Sequence, residues 1–376
     1  MKEYIKRGSW NKRAFSSINK LIADYGKDNP NYEPNKKPFA VFDWDNTSII
    51  GDVEESSFYY LVTNLAFKLN PDELYEIIRE NVDKTDFADP YRNLDGNPVN
   101  IEKISYDIYE AYKNLYVKSD RLKGNLPLEK IKKEAVYQEF ISKMFFRYKA
   151  ADFDKNARDP YCWMTFLFTN YKQNEIEDFC KKAFAFVKKE KVRKEIFTSA
   201  DIKSKAGRVS IPFFIGLGEI DEMIDLYETL EGEGIELYIV SASFIDIVRA
   251  FASKNSYNIK KDKILGLRLA KDADGKILPK LDHSYPLTQK AGKTETIKRL
   301  IQNEKNYGPI LVGGDSDGDY NMLTDFRESN LGIIINVERK GKINKLKEIA
   351  RAGNSKYVIQ ERDEYSKCFI DEERFM

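Results

Sequence analysis

Histidine is nearly absent from this sequence, and cysteine is scarce. The 376 residues include one histidine, His283, and three widely spaced cysteines, Cys162, Cys180 and Cys368. A single imidazole excludes most metal sites built on histidine, and every Ser-His or Cys-His catalytic pair that does not use His283. Three cysteines at this spacing make neither a disulfide framework nor a zinc site. Acid–base chemistry therefore falls to carboxylates.

Long apolar runs are also missing. No stretch approaches the roughly 20 apolar residues of a membrane-spanning helix, and residues 1–10 lack the apolar run of a signal peptide. These features predict a soluble, cytoplasmic protein with no membrane span. An exported, periplasmic or cell-surface protein whose leader lies outside this sequence would look the same.

Neither sign of charge is in excess. The chain has 62 Lys and Arg and 61 Asp and Glu residues, for a formal net charge of +1 at pH 7. It presents no net field that would attract nucleic acid or an anionic membrane surface. The sequence thus predicts neither partner, and no pattern in it indicates an oligomeric state.

Apolar residues are plentiful, at 42% of the chain, and they indicate a globular protein. A chain of 376 residues exceeds one comfortable hydrophobic core. We therefore expect two domains, one of which can be inserted in the other.

Phe39–Phe42 is a run of four apolar residues, opened by Pro38 and followed by Asp43 and Asp45. Such a run predicts a strand buried on both faces, as in the middle of a parallel sheet, with the acids at its carboxyl end. Open α/β sheets bind ligands at that end. Because an unpaired buried carboxylate is costly, a bound divalent cation explains the pair; a solvated turn after the strand explains it equally well.

Further apolar runs predict buried strands at 235–240, 309–312 and 331–337. Helical patterns lie between the strands, and residues 101–189 are helical in pattern almost throughout. Asp272–Gly275 has the turn chemistry of a hairpin between 264–269 and 277–281. Strands that alternate with helices predict an α/β fold with a Rossmann-like, doubly wound parallel sheet.

Polar side chains follow three of these strands: Asp43 and Asp45 follow the first, Ser241 the second, and Asp315 and Asp319 the third. Because the carboxyl ends of parallel strands share one edge of the sheet, we expect these side chains to converge. Lys293 opens a helix near the same edge. Four carboxylates in one cleft repel each other unless cations intervene, and hard oxygen ligands suit Mg²⁺.

These residues resemble the four motifs of the haloacid dehalogenase superfamily of phosphatases. The matching segments, in the family's order, are Asp43-x-Asp45-Asn46-Thr47, Ser241 at a strand end, Lys293 at a helix start and Gly314-Asp315-x-x-x-Asp319. Each motif alone is weak. Four in order, each placed correctly against a strand or a helix, are specific.

The resemblance implies a role for each residue. Asp43 is the implied nucleophile, which takes the phosphoryl group as an aspartyl-phosphate. Asp45 is the implied general acid for the leaving alcohol and then the base for water. Lys293 balances the charge of the nucleophile and the phosphate. The implied phosphate-binding residues are Asn46, Thr47, Ser241 and Ala242, and the implied Mg²⁺ ligands are Asp43, Asp45, Asp315 and Asp319.

Some assignments stay open on the residues alone. Lys290 lies three residues before Lys293 and could take its place, although Lys293 opens the helix, where packing can hold its stem. Asp317 is expected only to face solvent. Ser241 also fits as the cap of the following helix, a role that is compatible with phosphate binding at free backbone amides.

The longest interval between motifs runs from Asp43 to Ser241, which predicts a large insertion. The predicted domains are residues 1–50, the amino-terminal helix and first strand of the core; 51–215, an inserted α-helical cap; and 216–376, the remainder of the core. A cap at this position resembles that of the phosphoserine phosphatase branch, which encloses small substrates.

Asp52 resembles an acidic residue of that branch that reaches toward the substrate's amino group. The opening of the chain, through Trp10 to Glu54 and Glu55, is similar to that of bacterial phosphorylcholine phosphatases, which implies phosphocholine as substrate and export as an alternative location. Aromatic faces and carboxylates bind quaternary ammonium groups. The candidate aromatic residues, each of which also fits as domain core, are Tyr59, Tyr60, Tyr161 and Trp163.

The leading hypothesis is a Mg²⁺-dependent phosphomonoesterase acting on a small, cationic phosphate ester, with phosphocholine favoured and phosphoserine next. A phosphotransferase that passes the phosphoryl group from Asp43 to another alcohol is a second hypothesis. The third is a metal-binding or receiver-like phosphoprotein. Asp45 argues against it, because a receiver has no use for an acid two residues after its phosphorylated aspartate.

Overall fold

The computed structural model describes residues 2–152, 162–254, 256–337, 339, 341–353, 355–363, 365 and 368–371. The chain divides into two compact units. Unit 1 comprises Met1–Val53, Gly216–Arg268 and Asp282–Met376, and unit 2 comprises Glu54–Ile215 and Leu269–Leu281. The prediction had a single insertion at 51–215, so the second, short stretch of unit 2 is unexpected.

The strands are β1 (Phe39–Phe42), β2 (Ile49–Ile50), β3 (Arg193–Thr198), β4 (Ser210–Ile215), β5 (Gly218–Glu219), β6 (Glu236–Phe244), β7 (Ile264–Leu267), β8 (Leu269–Lys271), β9 (Ile277–Leu281), β10 (Leu311–Gly314), β11 (Leu331–Asn336), β12 (Tyr357–Arg362) and β13 (Phe369–Ile370). The α-helices are α1 (Lys12–Tyr25), α2 (Val53–Thr63), α3 (Pro71–Ile77), α4 (Ile101–Lys118), α5 (Leu128–Ile131), α6 (Ala135–Asp152), α7 (Cys162–Phe166), α8 (Gln173–Val187), α9 (Asp221–Gly232), α10 (Ile245–Ala252), α11 (Ala291–Ile297), α12 (Asn303–Lys305), α13 (Tyr320–Thr324) and α14 (Ile343–Arg351). A π-helical turn, Lys298–Gln302, joins α11 to α12, and a short 3₁₀ turn spans Lys261–Lys263.

Unit 1 is built on a seven-stranded sheet in the order β13-β12-β11-β10-β1-β6-β7. All neighbours are parallel except the edge strand β13. Every residue of β1 is buried, as expected for a central strand. The predicted parallel α/β sheet is therefore confirmed.

Helices cover both faces of this sheet. Successive strand residues point to opposite faces. Val41 lies in one cluster with Ile297 of α11 and Leu346 of α14, whereas the ring of Phe42, the next residue, packs 4.9 Å from the ring of Tyr227 on α9. This arrangement agrees with the predicted doubly wound architecture.

The region after β6 differs from the prediction in one respect. β7 pairs in parallel with β6 in the main sheet, and the hairpin is formed by β8 and β9. All of β7 is buried, because its apolar residues need cover on both faces, which a two-stranded hairpin does not offer. The strand β12 in the carboxyl-terminal region was not predicted.

Unit 2 contains α3 to α8, nearly all of α2, and the hairpins β3–β4 and β8–β9. Most of it is helical, and the hairpins add strands to the predicted α-helical insertion. Its core is aromatic: the ring of Phe145 lies 4.4 Å from that of Phe197 and 4.5 Å from that of Phe213. That unit 2 acts as a cap domain remains a prediction.

Within the described part of the chain, every helix is too short or too polar to cross a bilayer.

Candidate active site

The loop after β1 is folded tightly back on itself. Asn46 adopts φ +59°, and its backbone N–H donates to the carbonyl of Gly51 at 3.0 Å. Ser48 Oγ donates to the carbonyl of Asp43 at 2.5 Å. Asparagine is one of the few residues that tolerate this left-handed conformation. The turn holds the side chains of Asp43 and Thr47 close together, with Thr47 Oγ1 3.5 Å from Asp43 Oδ2.

Lys293 bridges two carboxylates from different strands. Its Nζ donates to Asp43 Oδ1 at 2.5 Å and to Asp319 Oδ1 at 2.7 Å. The lysine is buried in the first turn of α11, whereas Lys290, just before the helix, is exposed. Of the two lysines that the sequence left open, the structure places Lys293 at the carboxylates.

Asp319 closes the loop that follows β10. Its Oδ2 accepts hydrogen bonds from the backbone N–H groups of Asp315 at 3.0 Å and Ser316 at 3.1 Å. A Cβ atom at Gly314 would lie 2.4 Å from Cβ of Asp319, so glycine is required for this close approach. The loop presents Asp315 and Asp319 on the same side.

Asp315 completes a group of three buried acids. Asp43, Asp315 and Asp319 each offer an oxygen within 4.8 Å of the others. Thr47 Oγ1 donates to Asp315 Oδ1 at 3.3 Å. Asp315 Oδ2 is buried and accepts no hydrogen bond from the described residues, although Arg339 Nε forms an ion pair with it at 2.7 Å.

The electrostatics of this group favour a cation. Burial, together with the charge of Asp319, raises the pKa of Asp43 to about 8, and burial also raises the pKa of Asp315. Burial lowers the pKa of Lys293, but the charges of Asp319 and Asp43 outweigh it and raise that pKa. Buried oxygens with raised pKa values, one of them without a hydrogen bond, fit a hard divalent ion such as Mg²⁺.

Asp45 lies outside the group of three. Its Oδ1 accepts from the backbone N–H of Val53 at 2.8 Å, and its Oδ2 accepts from Ser243 Oγ at 2.7 Å and Ser241 Oγ at 3.2 Å. Burial and the neighbouring Asp43 raise the pKa of Asp45 to about 7. The sequence analysis grouped Asp45 with the metal-binding acids, and that role of Asp45 stays a prediction.

The end of β6 supplies those hydroxyl groups. Ser241, predicted to bind phosphate, donates to Asp45 and accepts from the backbone N–H of Ser243 at 3.0 Å. Ala242 lies between them and is half-buried. Ser243 was missed by the sequence analysis, although the pattern Ser-Ala-Ser at a strand end was its visible signal.

The predicted cation-binding residues differ in burial and belong to both units. Asp52 is half-buried and directly precedes α2. In unit 2, Tyr59 and Trp163 are buried in the aromatic core, and the Arg147 guanidinium lies 3.8 Å from the Trp163 ring centroid. Tyr60 is half-buried, and its ring packs 5.4 Å from that of Phe179. Tyr161 lies outside the described residues.

Three further residues were missed or misassigned. Arg339 follows β11 and reaches Asp315, and Arg362 at the end of β12 places Nη2 3.4 Å from the Asn46 carbonyl oxygen and Oδ1. No motif spacing marks either arginine. Asp317, expected to face solvent, accepts a 2.8 Å hydrogen bond from the backbone N–H of Ile343. The prediction for Asp317 was wrong because α14 begins beside it.

No protein-family model matches the chain. A phosphorylcholine phosphatase from Pseudomonas aeruginosa is 25% identical over 336 residues, which are 82% of this chain and 76% of that protein. This relative is a phosphatase by name, and its similarity extends over most of both chains. The residues that carry the four predicted motifs are linked by contacts: Lys293 bonds Asp43, Asp43 lies in one group with Asp315, and Ser241 bonds Asp45.

Two solved structures complete the comparison. A functionally unknown protein from Anaerococcus prevotii is 54% identical, with a TM-score of 0.95 over 98% of this chain and 97% of that one. It shares the fold described above. A phosphoserine phosphohydrolase-like protein from Francisella tularensis is 16% identical, with a TM-score of 0.39 over 85% of this chain and 94% of that one. That likeness is too low to support an argument.

Proposed function

We propose that this protein is a Mg²⁺-dependent phosphomonoesterase that hydrolyses a small, cationic phosphate ester, with phosphocholine as the favoured substrate. The observation that carries the proposal is the contact of Lys293 Nζ with both Asp43 and Asp319, with Asp315 in the same group of acids. A lysine between a nucleophilic carboxylate and a metal-binding carboxylate suits phosphoryl transfer, which depends on positioning and charge neutralisation.

Asp43 is the proposed nucleophile. Its carboxylate oxygen forms a bond to phosphorus while the bond from phosphorus to the ester oxygen breaks, which leaves an aspartyl-phosphate. Lys293 holds the carboxylate and offsets charge on the phosphoryl oxygens. Mg²⁺, held by Asp43, Asp315 and Asp319, would reduce the repulsion between the attacking carboxylate and the phosphate.

Asp45 is the proposed proton donor and acceptor. It first gives a proton to the oxygen of the leaving alcohol, and then takes a proton from the water that attacks phosphorus. The second step breaks the bond from phosphorus to Asp43 and releases phosphate. Hydrogen bonds from Ser241, Ser243 and the Val53 N–H hold the Asp45 carboxylate for both transfers.

The choice of phosphocholine rests on two supports. The first is the name of the Pseudomonas aeruginosa relative, a phosphorylcholine phosphatase. The second is Asp52, a half-buried carboxylate just before α2, which is suited to a cationic leaving group. Of the aromatic candidates, Tyr59 and Trp163 add no support, because they are buried in the unit 2 core.

The test is phosphate release from phosphocholine, phosphoserine and an uncharged aryl phosphate, with Mg²⁺ and with a chelator. We expect release that requires Mg²⁺ and is fastest, by kcat/KM, with phosphocholine. Asp43→Asn, an isosteric control, should retain less than about a tenth of wild-type activity because the lost role is covalent. A higher residual activity would remove the nucleophile assignment.

The same assay separates the alternatives. If phosphoserine is hydrolysed faster than phosphocholine, phosphoserine becomes the proposed substrate. An added alcohol that captures the phosphoryl group in place of water would identify a phosphotransferase. Absence of phosphate release from every ester would favour the third hypothesis, a metal-binding or receiver-like phosphoprotein.

A further inference from the structure

Arg339 approaches the proposed ion site from an element outside the four motifs. It follows β11, whose carboxyl end lies on the same sheet edge as that of β10 because the two strands are parallel. Its Nε is 2.7 Å from Asp315 Oδ2. The Arg339 side chain is 46% exposed, whereas that of Asp315 is 3% exposed. A half-exposed cation therefore reaches a buried acid of the site.

The backbone carbonyl of Arg339 has a hydrogen-bond partner, and its side chain is half exposed. The buried Lys347 of α14 donates from Nζ to the Arg339 carbonyl at 3.2 Å. Asp317 accepts from the first N–H of α14 at 2.8 Å, which ties this helix to the loop that carries Asp315. The half-exposed guanidinium has room to change partner by side-chain rotation.

Arg362 is a useful contrast. It is buried, and its contacts in the described residues include both oxygens of Asn46, on the turn after β1. A buried side chain is closely packed and has little room to rotate. Of the two arginines, Arg339 is the one whose exposure permits exchange.

The two oxygens of Asp315 have different partners. Oδ1 accepts from Thr47, whereas Oδ2 has the ion pair with Arg339 and no hydrogen bond from the described residues. A divalent ion shared by Asp43 and Asp315 would meet the Arg339 charge at that carboxylate, and two cations so close repel each other. The substrate's phosphoryl group, next to Asp43, would lie near the same arginine, because Asp43 and Asp315 offer oxygens within 4.8 Å of each other.

We propose that Arg339 is a phosphate-binding residue that exchanges partners, leaving Asp315 when the divalent ion binds there and pairing with the substrate's phosphoryl oxygens. This inference rests on the proposed function. The planar guanidinium favours phosphate oxygens, to which it can donate two parallel hydrogen bonds. Arg339 is a substrate-contacting residue in this scheme, and its bond to Asp315 opposes ion binding.

The test measures binding by calorimetry, without turnover. Wild type, Arg339→Gln, Arg339→Lys and Arg327→Gln are titrated first with Mg²⁺ alone and then with inorganic phosphate at saturating Mg²⁺. Arg327→Gln is the matched control, because it removes the same charge from an exposed position of unit 1.

We expect opposite effects in Arg339→Gln. The Kd for Mg²⁺ should fall by about threefold to fivefold, as for loss of a partly exposed ion pair. The Kd for phosphate should rise by about tenfold, as for loss of a charged hydrogen bond. Arg339→Lys should bind phosphate with intermediate affinity, since it keeps the charge but not the planar fork. Arg327→Gln should match wild type.

Several results would overturn the inference. Weaker binding of both Mg²⁺ and phosphate by Arg339→Gln would mean that Arg339 has a merely structural role. Unchanged binding of both would mean that Arg339 contacts neither ligand. Tighter Mg²⁺ binding with unchanged phosphate binding would remove the phosphate contact. A wild type that binds no Mg²⁺ would overturn it as well, and phosphate release by that wild type would show whether the phosphatase proposal fails too.

Discussion

Lys293 Nζ lies 2.5 Å from Asp43 Oδ1, although 250 positions separate the two residues in the chain. The contact joins the first turn of α11 to the carboxyl end of β1. Both side chains are buried, so each neutralises a charge that would otherwise be costly in the interior. Most of the proposed chemistry depends on this pair.

Lys293→Gln should lower kcat/KM for phosphocholine by about 100-fold or more, because a preorganised charge beside the phosphoryl group is lost. Lys290→Gln is the matched control, since Lys290 is exposed three residues earlier, and it should stay within about twofold of wild type. Circular dichroism checks that both variants fold. Equal losses in the two variants would contradict the placement of Lys293.

Asp45→Asn should separate substrates by leaving group. An asparagine cannot protonate the alkoxide of choline, so release from phosphocholine should fall by about 100-fold or more. A phenolate leaves without a proton, so an aryl phosphate should give a rapid burst of phenol, stoichiometric with enzyme, before slow turnover. Stopped-flow absorbance measures the burst. Asp43→Asn should give none, and a burst there would be incompatible with an aspartyl-phosphate on Asp43.

Asp52→Asn should affect cationic substrates selectively. Loss of this half-buried carboxylate should raise the KM for phosphocholine by about tenfold, the size of one charged contact, and leave that for an uncharged aryl phosphate nearly unchanged. Initial-rate measurements with both substrates provide the comparison. Equal changes in the two KM values would argue against a cation site at Asp52.

Glu236, at the start of β6, should make stability depend on pH. Burial alone raises the pKa of Glu236, but hydrogen bonds from Lys263 and Lys305 outweigh it and lower the pKa from 4.5 to about 2. A depressed pKa stabilises the fold above pH 4.5, and this contribution is lost as the pH falls toward about 2.

The corresponding variant is Glu236→Gln. At neutral pH it should lower the free energy of unfolding by about 1 kcal/mol, as for a partly exposed ion pair, and the difference should shrink below pH 4.5. Urea unfolding from neutral to acidic pH measures it. The exposed Glu304→Gln serves as control. A difference that stays constant with pH would show that charge is not the cause.

Local patterns in the sequence were sufficient to predict the main strands and helices of the fold. The four apolar runs became β1, β6, β10 and β11, and the helical patterns of unit 2 became helices. The ends and the pairing of individual strands were harder to predict. β10 extends through Gly313 and Gly314, which a propensity argument excludes, because these glycines let the backbone pack against Phe42 and Asp319. The short strand β7 was predicted as one arm of a hairpin, but it pairs in parallel with β6.

The motif residues could be named from the sequence because an apolar run followed by a carboxylate is recognisable in a short segment of the chain. Asp43 and Asp315 could be named in this way, and Lys293 because it opens a predicted helix. What each side chain contacts was decided only by tertiary structure. The hydrogen bonds of Asp45 to Ser241 and Ser243, and the reach of Arg339 to Asp315, join segments far apart in the chain. Such contacts depend on register and packing across the whole sheet, which no local pattern encodes.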